Sequence, residues 1–395
     1  MTFIYDIINI EFVICILILL LSKYRKMNAI IILLLFVHLI VIFLLNGVLF
    51  SPYYFGDQFR YLFAAQTLRD QIFSFKYFNP NLIDSTLIGY GADLRIVFSS
   101  FLFSIFPFPY INSVYSLSMI NYLIFIYIFI FFYKKKFSSN KINYFILLYP
   151  SILLYTSLAL RETIIILTMI ISIYYIFFDR NLLIAIPTLL ILSIIKIQNF
   201  LIIILSYFIY IIIRKNHILN FGLFLIFALL IIFYGESVPL IKFIVTRIDY
   251  YRYNLIAENY GYDYSIFDSI DYKPFSLGFQ FFPMVISSFF HMLFKPFPWN
   301  VENSFQLIQS IENLFLFVLM IYLFIKKYHS KKINDIFIFL HIFLFISMSL
   351  YGLVIFNYGT AARFRAPFVF VYLIFSLLLS NSNEIYLKST LNKHH

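Results

Sequence analysis

The chain has 395 residues, of which 63% are hydrophobic and only 12% are charged. This composition, with a mean hydropathy of +0.92, excludes a water-soluble protein, which needs far more polar surface. The net charge of +11 does not indicate a nucleic-acid partner, because the lysines lie in short segments between apolar runs, as in the cytoplasmic loops of membrane proteins. The single cysteine, Cys15, excludes an internal disulfide and a cysteine-based metal site.

Apolar runs recur along almost the whole chain, so the sequence predicts an all-α fold and a single membrane domain over residues 1–395. The first run covers residues 7–22 and ends at a basic segment that begins with Lys23. The N-terminal stretch carries Asp6 and Glu11 but no basic residue, which is unlike a cleaved signal peptide. This charge pattern predicts an N-terminus on the outer, non-cytoplasmic side of the membrane.

The later basic clusters set the orientation of the other helices. The clusters assigned to the cytoplasm contain Lys134, Lys135, Lys136 and Lys141, then Arg180, then Arg214 and Lys215, then Lys326, Lys327, Lys331 and Lys332, and finally Lys388 and Lys393. One crossing is needed between the outer loop after residue 50 and Lys134, and the run 111–133 supplies it. The shorter runs 96–108 and 279–294 are therefore predicted to be interfacial or re-entrant helices. The C-terminus is predicted to be cytoplasmic.

Two long apolar runs, 142–178 and 182–213, are predicted to begin and end on the cytoplasmic side. Each is too long for one helix and only just long enough for two, since a leg of about 15 residues rises about 22 Å. The first run is predicted to turn at Arg161 and Glu162, and the second at Lys196. These polar residues would then lie at or slightly below the outer membrane surface.

Together these runs predict a polytopic membrane protein with about eleven transmembrane helices and additional re-entrant or interfacial helices. A first periplasmic loop, residues 51–110, would include the interfacial helix. Residues 235–310 would form a large periplasmic loop. Because the apolar runs leave no room for a separate soluble domain, the candidate chemistry is expected within these loops and the outer helix ends.

Ionisable residues at membrane depth are costly and indicate function or a buried pair. The candidates on the predicted outer face are Asp57, Arg60, Arg161, Glu162, Lys196, Lys295, Glu302, Arg363 and Arg365. Arg363 and Arg365 precede Pro367, which suits the first turn of the last helix. Two guanidiniums beside free helix N–H groups predict a phosphate or pyrophosphate site. The alternative is that these arginines anchor the helix at lipid headgroups.

The other candidates also have two interpretations each. Arg161 and Glu162 could supply a cation for phosphate beside a carboxylate base, or they could form an ion pair that closes a helical hairpin. Asp57 could deprotonate a sugar hydroxyl, or it could be a helix cap or a solvated acid of the loop. The sequence contains no Asp-x-Asp pair, metal-ligand cluster or phosphate-binding glycine loop. We therefore expect no metal and no cofactor, and a donor that arrives within the membrane or from outside.

Three motifs in this order resemble the Wzy-type oligosaccharide repeat-unit polymerases, and more broadly the multi-pass glycosyltransferases of GT-C architecture. They are YPSILLYTSLALRETI at 149–164, KPFPWNVEN at 295–303 and GTAARFRAPF at 359–368. The resemblance implies an enzyme of the bacterial inner membrane that joins repeat units linked to undecaprenyl pyrophosphate. The reaction would occur at the periplasmic face without nucleotide or metal, and its partners would be lipid-linked donor and acceptor, membrane lipid and a chain-length regulator.

The resemblance also implies roles for individual residues. Arg161, Arg363 and Arg365 would stabilise the leaving pyrophosphate, and either Glu162 or Asp57 would act as the catalytic base. Further substrate-binding groups would be Lys196 and Lys295, with Arg60 and Glu302 in the glycan-binding set. Many GT-C enzymes have two adjacent acids in the first outer loop, whereas residue 58 of this chain is Gln.

Three alternatives stay open at this point. The first is a GT-C glycosyltransferase that uses a polyprenyl-phosphate sugar, or a ligase that moves glycan to another acceptor. The second, from a different class, is a transporter or flippase of lipid-linked oligosaccharide, although the sequence shows no convincing internal repeat. The third is an assembly protein with no catalytic role.

Overall fold

A computed structural model describes most of the chain. The described residues are 2–24, 27–50, 56–73, 94–134, 140–214, 222, 229–230, 232–259, 275–301, 303–329, 335–355 and 358–381. Within these ranges the regular structure is helical, with no strand. The chain divides into two compact units, Met1–Phe200 with Leu373–His395, and Leu201–Tyr372.

Fifteen α-helices cover the described ranges. In the first half of the chain they are α1 (Thr2–Lys23), α2 (Ala29–Phe43), α3 (Asp57–Phe73), α4 (Leu94–Ile105), α5 (Val114–Lys134), α6 (Asn140–Leu148), α7 (Pro150–Ser157), α8 (Glu162–Phe177) and α9 (Leu182–Ile195). In the second half they are α10 (Ile197–Arg214), α11 (Pro239–Asn259), α12 (Phe281–Phe294), α13 (Ser304–His329), α14 (Asp335–Gly352) and α15 (Tyr358–Asn381).

Among the described residues, seven helices are long and apolar enough to cross a membrane. They are Ile4–Lys23, Ala29–Leu49, Val114–Lys134, Ile197–Arg214, Ser304–Lys326, Asp335–Gly352 and Tyr358–Leu379. The bent pair α7 and α8 would bring the number to eight if it forms one span. The protein is therefore a polytopic helical membrane protein, as its composition predicted. The count of about eleven helices stays a prediction, and the apolar stretch after Arg214 lies largely outside the described residues.

The predicted interruptions of the two long apolar runs are confirmed. The first run breaks between α7 and α8, whose axes differ by 117°. The second breaks at Lys196, which has a non-helical backbone (φ −155°, ψ 86°) and separates α9 from α10. Both breaks fall where charged residues interrupt apolar sequence, because a helix that ends there can direct its polar side chains away from lipid.

Helices α8 and α9 form an antiparallel hairpin in the first unit. The Ser172 and Thr188 hydroxyls lie 2.9 Å apart halfway along the pair. The turn between the helices contains Arg180 in the left-handed region (φ 50°), and the Asn181 side chain accepts a hydrogen bond from the Leu183 N–H at the start of α9. The hairpin therefore places Glu162, the first residue of α8, at the same end as Lys196.

Helix α5 lies at the centre of the first unit and contacts α1, α2, α3, α7 and α8. Most of its side chains are buried, and Tyr122, Phe125 and Phe129 are fully buried. Within a membrane, such rings stabilise the unit through close van der Waals packing between helices, because lipid is as apolar as the protein interior. This helix is the scaffold to which the break between α7 and α8 is fixed, through Asn121.

The predicted non-spanning helices match shorter apolar helices. The run 96–108 corresponds to α4, and the run 279–294 to α12, and both are shorter than the candidate spans. Helix α3 was not anticipated within the first predicted loop, and it packs on α4 through Ala64, Leu68 and Val97. Most of the predicted loop 235–310 that the structure describes is also helical.

The prediction that Pro367 begins the last helix is wrong, because α15 runs from Tyr358 through Pro367 to Asn381. A proline within a membrane helix removes one backbone hydrogen bond, which neighbouring groups can replace. Arg363 and Arg365 therefore lie inside the helix. They do not flank a free N-terminus.

Helices α12 and α14 pack closely in the second unit because Gly352 has no side chain. A Cβ atom at this position would overlap the backbone carbonyl of Ser288 and would lie 3.1 Å from the Cβ of Met292. We expect Gly352→Ala to lower the free energy of unfolding by about 1–3 kcal/mol. Thermal unfolding of the purified protein in detergent, followed by tyrosine and tryptophan fluorescence, measures this loss.

The matched control is Gly56→Ala, because no atom lies within 4 Å of a Cβ at Gly56. It should unfold within about 1 kcal/mol of the wild-type protein. Equal stability of Gly352→Ala and Gly56→Ala would contradict the close helix contact.

Candidate functional site

The break between α7 and α8 is held by side-chain amides that bind its exposed carbonyl groups. Asn121, in the middle of α5, donates to the carbonyls of Leu158 (2.6 Å) and Leu160 (2.7 Å) through Nδ2. Asn46 donates to the carbonyl of Ser157 (2.9 Å). Buried backbone groups that lack helical partners must find others, and these two asparagines supply them.

A third amide binds an N–H group at the centre of the break. The Ala159 N–H donates to Oε1 of Gln58 (2.7 Å), a residue in the first turn of α3 that is fully buried. The Leu160 N–H donates back to the Leu158 carbonyl (2.9 Å) and tightens the turn. Three separate elements thus converge on residues 157–160.

Asn46 reaches the break because α2 ends in a π-helical turn, Leu44–Leu49. Its Nδ2 also contacts the carbonyl of Ile42 (3.0 Å) and the Ser118 hydroxyl (3.4 Å). Single π turns inside helices are frequent at functional sites, since they redirect a side chain that a regular helix would place elsewhere. Here the redirected side chain is the amide that binds Ser157.

Charged side chains lie at the open end of the hairpin, next to this break. Arg161 is the last residue of the break, and its Nη1 donates to the carbonyl of Ile195 (3.2 Å), the residue before Lys196. Glu162 is 1% exposed and Lys196 is 4% exposed. The two helix breaks are therefore adjacent in the first unit. Burial of a charge is expensive, so charged side chains at this depth indicate function or a buried pair.

Asp57 is placed beside the same break by its neighbour Gln58. Its carboxylate lies 3.4 Å from the Arg60 guanidinium, and the Arg60 and Asp57 side chains are 43% and 39% exposed, respectively. An exposed pair one helical turn apart contributes little stability. The interpretation of Asp57 as a helix-start residue fits its position in the first turn of α3, and its catalytic role stays a prediction.

In the second unit, Arg365 caps the C-terminus of α12. Its Nη1 donates to the carbonyls of Met292 (3.1 Å), Leu293 (2.8 Å) and Lys295 (3.2 Å), and the side chain is 2% exposed. The last carbonyls of a helix have no partner within the helix, and cations are favourable at that end. Arg365 therefore has a structural role that neither sequence interpretation anticipated.

Asn313 completes this cap from α13. Its Nδ2 donates to the Phe294 carbonyl (2.9 Å), and the Lys295 N–H closes the last turn on the His291 carbonyl (3.2 Å). The side chain of Lys295 itself is half-buried. The His291 carbonyl is bonded within the helix, and the carbonyls of residues 292–295 are bonded by side chains of α13 and α15. This helix can therefore end inside the unit.

The predicted site residues fall into three groups. Arg161, Glu162 and Lys196 lie at the two breaks of the first unit, and Asp57 and Arg60 lie in the same unit on α3, whose Gln58 contacts the first break. Lys295, Arg363 and Arg365 belong to the second unit, and Glu302 lies outside the described residues. That these residues line one common pocket stays a prediction. Within the described part of the chain, no cluster of three or more His, Cys, Asp or Glu side chains is placed to hold a metal ion.

Sequence reasoning missed the three amides Asn46, Gln58 and Asn121. Asn46 and Asn121 each interrupt a strongly apolar run, and a polar residue at membrane depth is a signal for an interhelical contact. Gln58 carried no such signal, because it lies in a polar stretch.

The fold and the buried charges define this chain as a polytopic α-helical membrane protein with an internal polar site. Comparisons with protein-family models, with curated proteins and with solved structures find no match to this chain. Its function is therefore inferred from the chemistry of the site and from the motif resemblance.

The capping role of Arg365 predicts a large loss of stability in Arg365→Met. This change removes the donor from two buried carbonyls and one partly buried carbonyl, and the loss of a buried partner costs about 1–3 kcal/mol. Arg363→Met is the matched control, because Arg363 lies on the same helix and is only half-buried. Thermal unfolding in detergent should show a much lower midpoint for Arg365→Met than for Arg363→Met. Equal midpoints would contradict the cap.

Proposed function

We propose that this protein polymerises oligosaccharide repeat units linked to undecaprenyl pyrophosphate, at the periplasmic face of the bacterial inner membrane. The N-terminus would be periplasmic and the C-terminus cytoplasmic. The observation that carries the proposal is the meeting of Arg161, Glu162 and Lys196 at the broken end of one hairpin. The resemblance of the 149–164 segment to Wzy-type polymerases supports the same assignment.

The length of the hairpin supports a site near the membrane surface. Helices α8 and α9 have 16 and 14 residues, so they rise about 24 Å and 21 Å. The hydrocarbon core is about 30 Å thick. If the turn at Arg180 lies at the cytoplasmic interface, Arg161 and Glu162 lie several ångströms inside the opposite one. From this depth the long Arg161 side chain can extend toward the headgroup region, where a lipid carrier holds its diphosphate.

The proposed reaction needs two kinds of group. The bond between the anomeric carbon and the phosphate oxygen breaks, and the carrier leaves as undecaprenyl pyrophosphate. The acceptor hydroxyl forms the new glycosidic bond, and its proton passes to a carboxylate. Arg161 would stabilise the leaving diphosphate through charge-assisted hydrogen bonds.

The base is one of two carboxylates, Glu162 or Asp57. Glu162 is buried beside the proposed diphosphate site, whereas Asp57 is exposed enough to meet an incoming acceptor. Arg60 and Lys196, which also belong to the first unit, are proposed to bind the carrier or the glycan. Arg365 is not part of this proposal, because it is buried and caps the end of α12. A chain-length regulator is the proposed protein partner.

Transport of lipid-linked oligosaccharide is the second candidate function. Interrupted helices whose half-helix ends meet polar groups are typical of transporters, and the first unit contains such interruptions at residues 158–161 and at Lys196. A GT-C glycosyltransferase that uses a polyprenyl-phosphate sugar, or a glycan ligase, would use the same charged groups.

The polymerase proposal predicts that Arg161→Ala shortens the glycan. Loss of the guanidinium removes the charge that stabilises the leaving diphosphate, and removal of one such group typically lowers the rate about 10²–10³-fold. Electrophoresis of the surface glycan from the native strain should then show single repeat units where the wild type shows long chains.

Arg214→Ala is the control for this experiment. Arg214 forms an exposed ion pair with Asp335 at 2.7 Å, which has no part in the proposed chemistry and contributes little stability. Normal chain lengths from inserted, full-length Arg161→Ala protein would reject the site. Lipid-linked units that accumulate on the cytoplasmic side would instead favour the transporter.

A further inference from the structure

The contacts of Gln58 explain why a neutral amide suits this position. The side chain is fully buried, and its Oε1 accepts the Ala159 N–H at 2.7 Å. A carboxylate could accept the same hydrogen bond, but its charge would be buried at high cost. A neutral amide satisfies the backbone of the break without adding a charge next to Glu162.

Each of the three amides contacts the break through only one of its two polar atoms, Nδ2 of Asn46, Nδ2 of Asn121 or Oε1 of Gln58. The other halves, Oδ1 of Asn46, Oδ1 of Asn121 and Nε2 of Gln58, are buried and have no hydrogen-bond partner among the described residues. Such atoms lower the stability of the fold. The hydrogen bonds that the bonded half of each amide makes offset this loss. These contacts all fix residues 157–160.

The fixed segment controls where Arg161 lies. Arg161 is two residues after Ala159 and occupies the N-cap position of α8. Its Nη1 holds the carbonyl of Ile195, while its Nε is buried without a partner among the described residues. A shift of residues 157–160 would also move the Arg161 guanidinium, because only one residue separates Ala159 from Arg161.

We propose that Gln58, together with Asn46 and Asn121, is a positioning residue that fixes the break and so holds the Arg161 guanidinium in place for the carrier's pyrophosphate. This inference rests on the proposed function. Gln58 also joins the break to the start of α3, so the same hydrogen bond sets the place of Asp57. The amides touch neither the pyrophosphate nor the reacting atoms.

The test compares two glutamines on α3 that each bind one backbone group. Gln58→Leu removes the acceptor of the Ala159 N–H. The matched control, Gln66→Leu, removes the donor to the Ile111 carbonyl (2.9 Å), which lies outside the break. Gln58→Asn is the second variant, because it shortens the reach by one methylene and disturbs packing less. All are full-length proteins in lipid nanodiscs.

Two quantities are measured on each protein. Hydrogen exchange, detected by mass spectrometry, reports the protection of the peptide that contains Ala159. Titration with undecaprenyl pyrophosphate gives both the dissociation constant and the bound fraction at saturation. A merely structural defect would lower the bound fraction, whereas a displaced guanidinium would raise the dissociation constant.

We expect Gln58→Leu and Gln58→Asn to speed exchange at the break about tenfold or more and to raise the dissociation constant about tenfold. Gln66→Leu should change neither quantity at the break. Unchanged exchange in both Gln58 variants would overturn the inference, as would faster exchange with an unchanged dissociation constant. Equal effects in Gln66→Leu would overturn it too, because they would show general loosening of α3.

The wild-type protein separates this inference from the proposed function. It should bind undecaprenyl pyrophosphate much more tightly than undecaprenol, which lacks the charged group. Equal affinity of the wild type for the two lipids would overturn the proposed function itself, before any Gln58 variant is considered.

Discussion

A backbone group buried in an apolar interior must have a hydrogen-bond partner, and this requirement governs the first unit. The chain between α7 and α8 leaves the helical path, so its carbonyl and N–H groups lose their helical partners. Asn46, Asn121 and Gln58 replace these partners from three other elements. Without them the break would cost several buried hydrogen bonds of about 1–3 kcal/mol each.

The break also determines where the charged side chains of the first unit lie. Arg161 and Glu162 begin the next helix, and the antiparallel hairpin brings them to the end that contains Lys196. Charges at membrane depth indicate function or buried pairs, and here they adjoin an irregular backbone that is itself costly to build. In the second unit the C-terminal carbonyls of α12 also need partners. Arg365 and Asn313, on two other helices, donate hydrogen bonds to them.

The sequence predicted the membrane class and the positions of both breaks, because Arg161 and Lys196 interrupt apolar runs that are too long for one helix. It could not reveal the amides that hold the first break, since Gln58 and its partner are 101 residues apart and meet only through tertiary packing. Pro367 misled the prediction of the last helix, because membrane helices tolerate proline when neighbours satisfy the backbone. The capping role of Arg365 was hidden for the same reason as the amides: its partners lie about 70 residues earlier.

The most direct test of the proposed site is a cryo-electron microscopy structure of the full-length protein in a lipid nanodisc with undecaprenyl pyrophosphate. We expect diphosphate density within hydrogen-bond distance of the Arg161 guanidinium, in the outer half of the bilayer, beside an intact break at residues 158–161. Diphosphate bound at another place, or Arg161 facing the cytoplasm, would contradict the proposal.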